Sequence, residues 1–166
     1  MTKNLFDVLP VYEYEEKIET SEWVKENQEM GNSGEEIVKR FLENKYNAIV
    51  TKMEDFAGYD LWVKIGDDEF AVEVKTTEAH MDTFFLTITE ILKAKKLGSV
   101  YNIYRVVKMN NVYKIYIINN PIELLNIDVA VFEKGYENDL IQMYANDVKI
   151  ILKESVLDQF PSFEIV

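Results

Sequence analysis

The sequence predicts an α/β domain: one helix, three strands, a second helix, then further strands that complete a sheet. Three observations carry this. Apolar residues recur at spacings of three and four over residues 34–45, the period of a helix with one buried face. The pattern then changes to short β-like runs between Ala48 and Thr77, two of them alternating with period two. With 48% hydrophobic residues, 9 Phe, 10 Tyr and 2 Trp among 166 residues, the chain has enough apolar mass for a core without disulfide staples.

Taken in order, residues 12–30 are polar and acidic, with Trp23 and Val24 as the main apolar points. A solvated helix or an N-terminal arm over residues 1–30 fits this. Ser33 followed by Glu36 matches a capping box, and Ile37, Val38, Phe41 and Leu42 form the apolar stripe of the helix behind it. Ala48 to Met53 reads as a first strand. Tyr59 to Ile65 reads as a second, with Leu61, Val63 and Ile65 on one face and Asp60, Trp62 and Lys64 on the other. Gly66-Asp67-Asp68 is a hairpin turn. Phe70 to Thr77 follows as a third strand, with Glu73 and Lys75 sharing a face. Thr83 to Thr87 is a short β-like run, and Thr89 to Leu97 is a helix stopped by Gly98. Val100 to Met109 and Val112 to Ile118 are strands around Asn110-Asn111, a pair that tolerates positive φ. Tyr101, Tyr104, Tyr113 and Tyr116 read as core or strand surface rather than as a stacking platform. Residues 31–120 form the core unit, and 121–166 a C-terminal extension packed on the same domain.

Composition removes several chemistries. There is no Cys and one His, His80, so thiol nucleophiles, Cys-ligated zinc, iron–sulfur clusters and most histidine triads are excluded. A metal site must use oxygen ligands, which suits Mg²⁺ or Mn²⁺. His80 sits in a polar turn and carries no role. The net charge is −12, which argues against indiscriminate wrapping of nucleic acid. The charge is uneven: −5 over residues 1–30, −6 over 123–166, and −1 between them.

Glu36, Asp60, Glu73 and Lys75 are the candidates for chemistry. An acid two residues before a Lys occurs four times, at Glu15/Lys17, Glu43/Lys45, Glu73/Lys75 and Asp147/Lys149, so the pair alone singles out nothing. Glu73/Lys75 differs by context. It lies in an apolar strand, across a hairpin from a strand opened by Asp60, where two charges need partners or a function. If the first helix packs near the open end of these strands, three carboxylates and one ammonium converge. Two carboxylates can hold one hard cation, which activates water and polarises a phosphoryl oxygen, while Lys75 orients the water or offsets charge. The product is metal-assisted phosphodiester hydrolysis. The capping role competes for Glu36, and Glu35 is the alternative if Glu36 points away. Glu90 fits as an acid at a helix N-terminus.

Gly34-Glu35-Glu36, Gly58-Tyr59-Asp60, Glu73-Val74-Lys75-Thr76-Thr77 and Phe85-Leu86-Thr87-Ile88-Thr89-Glu90 together resemble the PD-(D/E)XK nuclease superfamily. They are more closely similar to the domain at the C-terminus of NO VEIN-like proteins. The resemblance covers roughly residues 31–108. It implies a restriction-endonuclease-like αβββαβ core with a mixed central sheet flanked by helices, with N- and C-terminal extensions. It also implies Mg²⁺- or Mn²⁺-dependent endonuclease cleavage of DNA or, less often, RNA. Asp60 and Glu73 would be metal ligands, Lys75 the catalytic lysine, and Glu36 the helix carboxylate of the site. One departure is Tyr59, where the superfamily commonly has Pro.

On this reading the chain acts as a homodimer or as a subunit of a larger complex. Lys93, Lys95, Lys96, Arg105 and Lys108 are candidates for phosphate contacts. The rival reading is a non-catalytic acidic protein on the same scaffold that binds or inhibits a basic nucleic-acid-processing partner, as a phage or defence-system inhibitor would. Met1 to Pro10 has no apolar stretch of signal-peptide length, and no run approaches a membrane span. The expected location is cytoplasmic.

Overall fold

A computed structural model of the chain describes residues 16–18, 34–78, 82–130, 136–137, 142–143, 147–152 and 156–165. Ser33, His80 and most of the arm expected over residues 1–30 lie outside the described residues. The elements are β1 (Glu16–Ile18), α1 (Gly34–Tyr46), β2 (Ile49–Lys52), β3 (Leu61–Ile65), β4 (Asp68–Thr77), β5 (Thr83–Thr87), α2 (Ile88–Leu97), β6 (Tyr101–Met109), β7 (Val112–Asn119), α3 (Pro121–Leu124), β8 (Tyr136–Glu137), β9 (Gln142–Met143), β10 (Asp147–Ile151) and β11 (Ser162–Ile165). Within them α1-β2-β3-β4-α2-β6 is the expected αβββαβ order, with β5 added before α2.

A seven-stranded mixed sheet runs β1-β11-β7-β6-β4-β3-β2. β2, β3 and β4 are antiparallel neighbours. β4 pairs parallel with β6, because the crossover through α2 brings the chain back in the same direction. β7 and β11 continue the sheet antiparallel, and β1 pairs parallel with β11 at the far edge. β5 and β10 form a separate antiparallel pair.

The sheet has a core on each face. α1 buries Ile37, Val38, Phe41 and Leu42 against Leu61, Val63, Phe70, Val72 and Tyr104. On the other face, Ile91 and Ala94 of α2 and Phe84 and Leu86 of β5 cover Ala71, Tyr101, Ile103 and Ile118. Tyr101, Tyr104, Tyr113 and Tyr116 are all buried. Among the described residues no helix is long and apolar enough to cross a membrane.

Two local details position the site. Gly34 opens α1 pressed against β4: a Cβ there would lie 1.7 Å from Thr76 Oγ1 and 3.0 Å from Thr76 Cβ, and turning the Thr76 side chain moves Oγ1 but not Cβ. α2 begins at Ile88 rather than Thr89, because Thr87 and Glu90 form a reciprocal capping box that satisfies two otherwise orphaned N–H groups. It ends as expected at Gly98, φ 56, where the left-handed backbone suits glycine.

Candidate active site

The β3–β4 register pairs Leu61 with Val72 and Trp62 with Ala71. Carried one residue past the ladder, it sets Asp60 opposite Glu73, and opposed residues of an antiparallel pair share a face. Backbone bonds hold the extension: Asp60 N–H donates to Val72 O at 3.0 Å, and Met53 N–H donates to Asp60 O at 2.8 Å. The Asp60 side chain accepts the Val74 N–H at 2.7 Å through Oδ2. Period two puts Lys75 on the face of Glu73, and its ammonium lies 2.7 Å from Glu73 Oε1. Sheet geometry thus brings Asp60, Glu73 and Lys75 together.

The Gly58-Tyr59 pair explains how the loop ahead of Asp60 is held. Gly58 has φ 84, and a Cβ there would lie 2.8 Å from Lys93 Cβ and 3.2 Å from Thr89 O. Only glycine lets the loop lie this close to α2. The Tyr101 hydroxyl donates to Gly58 O at 2.8 Å. Tyr59 packs against Trp62 and Tyr101, with ring centroids 5.9 and 6.4 Å away.

Glu90 was expected only as a helix-start acid. Its Oε2 accepts the Thr87 N–H at 2.9 Å and also lies 2.9 Å from the Lys75 ammonium. The signal was present as Thr87-x-x-Glu90, a capping box, but the reach to Lys75 depends on where α2 packs. On α1 the structure does not bring Glu36 to this cleft. Glu36 pairs with Arg40 at 2.7 Å, one turn along. Glu35 is the α1 carboxylate that lines the cleft, with Lys52 2.6 Å away. The physical reason is rotation: neighbouring helical residues point about 100° apart, and the Gly34–Thr76 contact fixes which one turns inward.

The cleft has a volume of about 530 Å³ and includes Glu35, Lys52, Phe56, Asp60, Glu73 and Glu90 in its lining. Glu73 is 4% exposed. Burial, opposed by Lys75 and reinforced by Asp60 and Glu90, pushes its carboxyl up to about 8. Burial also raises Asp60, against the Val74 N–H and with help from the Glu35 charge. Burial works against the Lys75 ammonium, but Glu73 and then Glu90 outweigh it and hold the group above its ordinary value.

Four carboxylates, Glu35, Asp60, Glu73 and Glu90, thus face two ammonium groups, Lys52 and Lys75. An all-oxygen donor set with surplus negative charge, two of whose members are held above their usual values, fits a hard divalent cation. Among the described residues no group of three or more His, Asp or Glu side chains is arranged to hold a metal ion. Asp60 and Glu73 would supply two ligands, and water the rest.

The expected phosphate contacts are placed unevenly. Arg105 is 2% exposed and donates to Lys75 O at 3.0 Å and Thr83 O at 2.6 Å. This corrects the expectation for Arg105: its guanidinium ties β4 to β5 instead of facing solvent. Lys108 pairs with Glu78 at 2.9 Å. Lys93 is half-buried along Gly58, while Lys95 and Lys96 are exposed.

The family model for the C-terminal domain of protein NO VEIN matches residues 34–118, half of the chain. The chain belongs to this family. In the NO VEIN C-terminal domain seen here, the matched span begins at Gly34 on Thr76 and contains every residue of the cleft. Among solved structures, the chain is similar to the Holliday junction resolvase Hjc of Archaeoglobus fulgidus, an archaeal hyperthermophile. That match has a TM-score of 0.42 and 15% identity and covers 78% of this chain and 90% of that one. It is also similar to the bacterial homing endonuclease I-Ssp6803I, with a TM-score of 0.30 and 13% identity over 74% of this chain and 76% of that one. No curated protein matches the chain.

Proposed function

We propose that this chain is a metal-dependent nuclease that hydrolyses phosphodiester bonds in DNA, with RNA the less favoured polymer. The observation that supports the reading is that Asp60 and Glu73 line one cleft, with the Lys75 ammonium 2.7 Å from Glu73. Asp60 and Glu73 would hold Mg²⁺ or Mn²⁺. When bound, such an ion supplies charge stabilisation at a phosphoryl oxygen and a lower pKa for water.

The protein's own groups do the rest. Lys75 stays protonated between Glu73 and Glu90, so it serves as a hydrogen-bond donor and fixed positive charge rather than as a base. It offsets the negative charge that grows on the phosphoryl oxygens in the transition state. Glu90 and Glu73 hold that ammonium in place. Glu35, which also lines the cleft, would orient the attacking water. The water oxygen bonds to phosphorus and gives up a proton to solvent, the bond to the leaving oxygen breaks, and that oxygen takes a proton from solvent. One cleft cuts one strand, so cutting a duplex requires a second copy or a larger complex.

Purified protein incubated with supercoiled plasmid and with single-stranded DNA, in Mg²⁺, Mn²⁺ or chelator, tests the reading. Metal-dependent cleavage that falls at least about a hundredfold in Lys75→Ala is expected. No cleavage under any condition would favour the rival acidic binding protein that the net charge of −12 accommodates, and cleavage indifferent to Lys75→Ala would take the chemistry away from this cleft.

A further inference from the structure

Phe56 is placed where a large apolar side chain gains least. It is 95% exposed, and its backbone has φ 75, a left-handed conformation rare for a bulky residue. The loop that carries it is framed on both sides. Met53 N–H donates to Asp60 O at 2.8 Å and Ala57 N–H donates to Glu54 O at 3.2 Å, while the Tyr101 hydroxyl holds Gly58 O at 2.8 Å. The ring therefore projects from a fixed frame, and it lines the same cleft as Asp60 and Glu73.

Its surroundings narrow the ligand. Exposed Glu54 and Asp55 precede it, and the cleft behind is acidic. Such a loop offers no charge attraction to a phosphate backbone or to anionic lipid. What it offers is a flat, uncharged π face. In a chain of net charge −12, binding driven by counterion release is weak, so a nucleic-acid substrate has to be gripped by contacts that salt does not screen. Stacking of a base on an aromatic ring is such a contact. Paired bases within a duplex are already stacked and present no face.

We propose that Phe56 stacks on an unpaired base of the strand in the cleft, so that the substrate class is single-stranded or locally unpaired nucleic acid. This rests on the nuclease reading of the same cleft.

The test measures binding and cutting separately. Binding of a fluorescein-labelled oligothymidine of about 15 nucleotides, and of its blunt duplex with oligoadenosine, is followed by fluorescence anisotropy in the Lys75→Ala background with Mg²⁺. Cleavage of the same oligonucleotides by the chain with Lys75 intact is run alongside. The single strand should bind more tightly than the duplex. Phe56→Ala should weaken single-strand binding at least about fivefold, and Phe56→Trp should retain it. Phe56→Gly, which the left-handed backbone accepts freely, should show the same loss as Phe56→Ala, so a folding defect cannot mimic the result. Single-strand binding unchanged in Phe56→Ala while the intact chain cuts the strand overturns the inference and leaves the nuclease standing. Unchanged binding with altered sedimentation would make Phe56 a contact between protein chains and overturn it too. No binding and no cutting of either polymer ends both readings.

Discussion

Two helices present an acidic first turn to one cleft, and they are anchored in opposite ways. α2 is fixed by its own sequence: Thr87 Oγ1 accepts the Glu90 N–H at 3.2 Å, and Glu90 Oε2 accepts the Thr87 N–H at 2.9 Å. α1 is fixed by a distant neighbour, through the contact of Gly34 with Thr76. The local device aims one carboxylate at Lys75, 2.9 Å away. The long-range device sets how near α1 comes and how it is turned, and it leaves Glu35 in a partly exposed pair with Lys52, an interaction worth about 0–1 kcal/mol. Glu90 is held by both its cap and Lys75, whereas Glu35 is held by an ion pair with a largely exposed lysine.

The contrast can be broken most severely at α1. Gly34→Ala should cost about 1–3 kcal/mol, because the added methyl meets Thr76 at every rotamer. Thermal denaturation should show a midpoint lower by roughly 3–10 °C. An unchanged midpoint would mean that α1 is not anchored there.

A finer test goes through Glu73, which Lys75 links to Glu90. Below about 8 its carboxyl keeps a proton that an incoming cation must displace. Mn²⁺ affinity measured by calorimetry should therefore rise roughly tenfold per pH unit on approaching pH 8 and level off above it. Glu73→Gln should flatten that slope along with the affinity. A slope absent in the unsubstituted protein would show Glu73 already ionised at neutral pH.

The smallest effects sharpen the comparison directly. Thr87→Ala should lower stability by about 1 kcal/mol, the usual loss for a helix cap. Glu35→Gln should change it by less than about 1 kcal/mol. Urea denaturation of the two variants side by side decides whether local capping outweighs the surface pair, and equal losses would erase the distinction.

The ease of reading the sequence followed the range of the interactions. Ile37, Val38, Phe41 and Leu42 announced the buried face of α1 because helical period alone selects them. Asp60, Glu73 and Lys75 were legible together because one hairpin and period-two alternation bring them to one face. Glu35 and Glu36 could not be told apart with confidence in sequence, since packing on Thr76 sets the rotation of α1. Glu90 carried a local signal for its cap and none for its bond to Lys75. Arg105 looked like a surface cation because nothing nearby in sequence shows that β5 packs against it. β1 and β11 span three and four residues, too short for period two to stand out, and they exist as strands through their pairing with each other and with β7.

Arg105 grips the carbonyl of Lys75 with one arm of its guanidinium and the carbonyl of Thr83 with the other, a fork that lysine could not reproduce. The β5–β10 pair is therefore harnessed to the very peptide that carries the ammonium. Displacing β5 would break or drag the bond to the Lys75 carbonyl, so the seat of the two-stranded ribbon and the aim of Lys75 are set by one side chain.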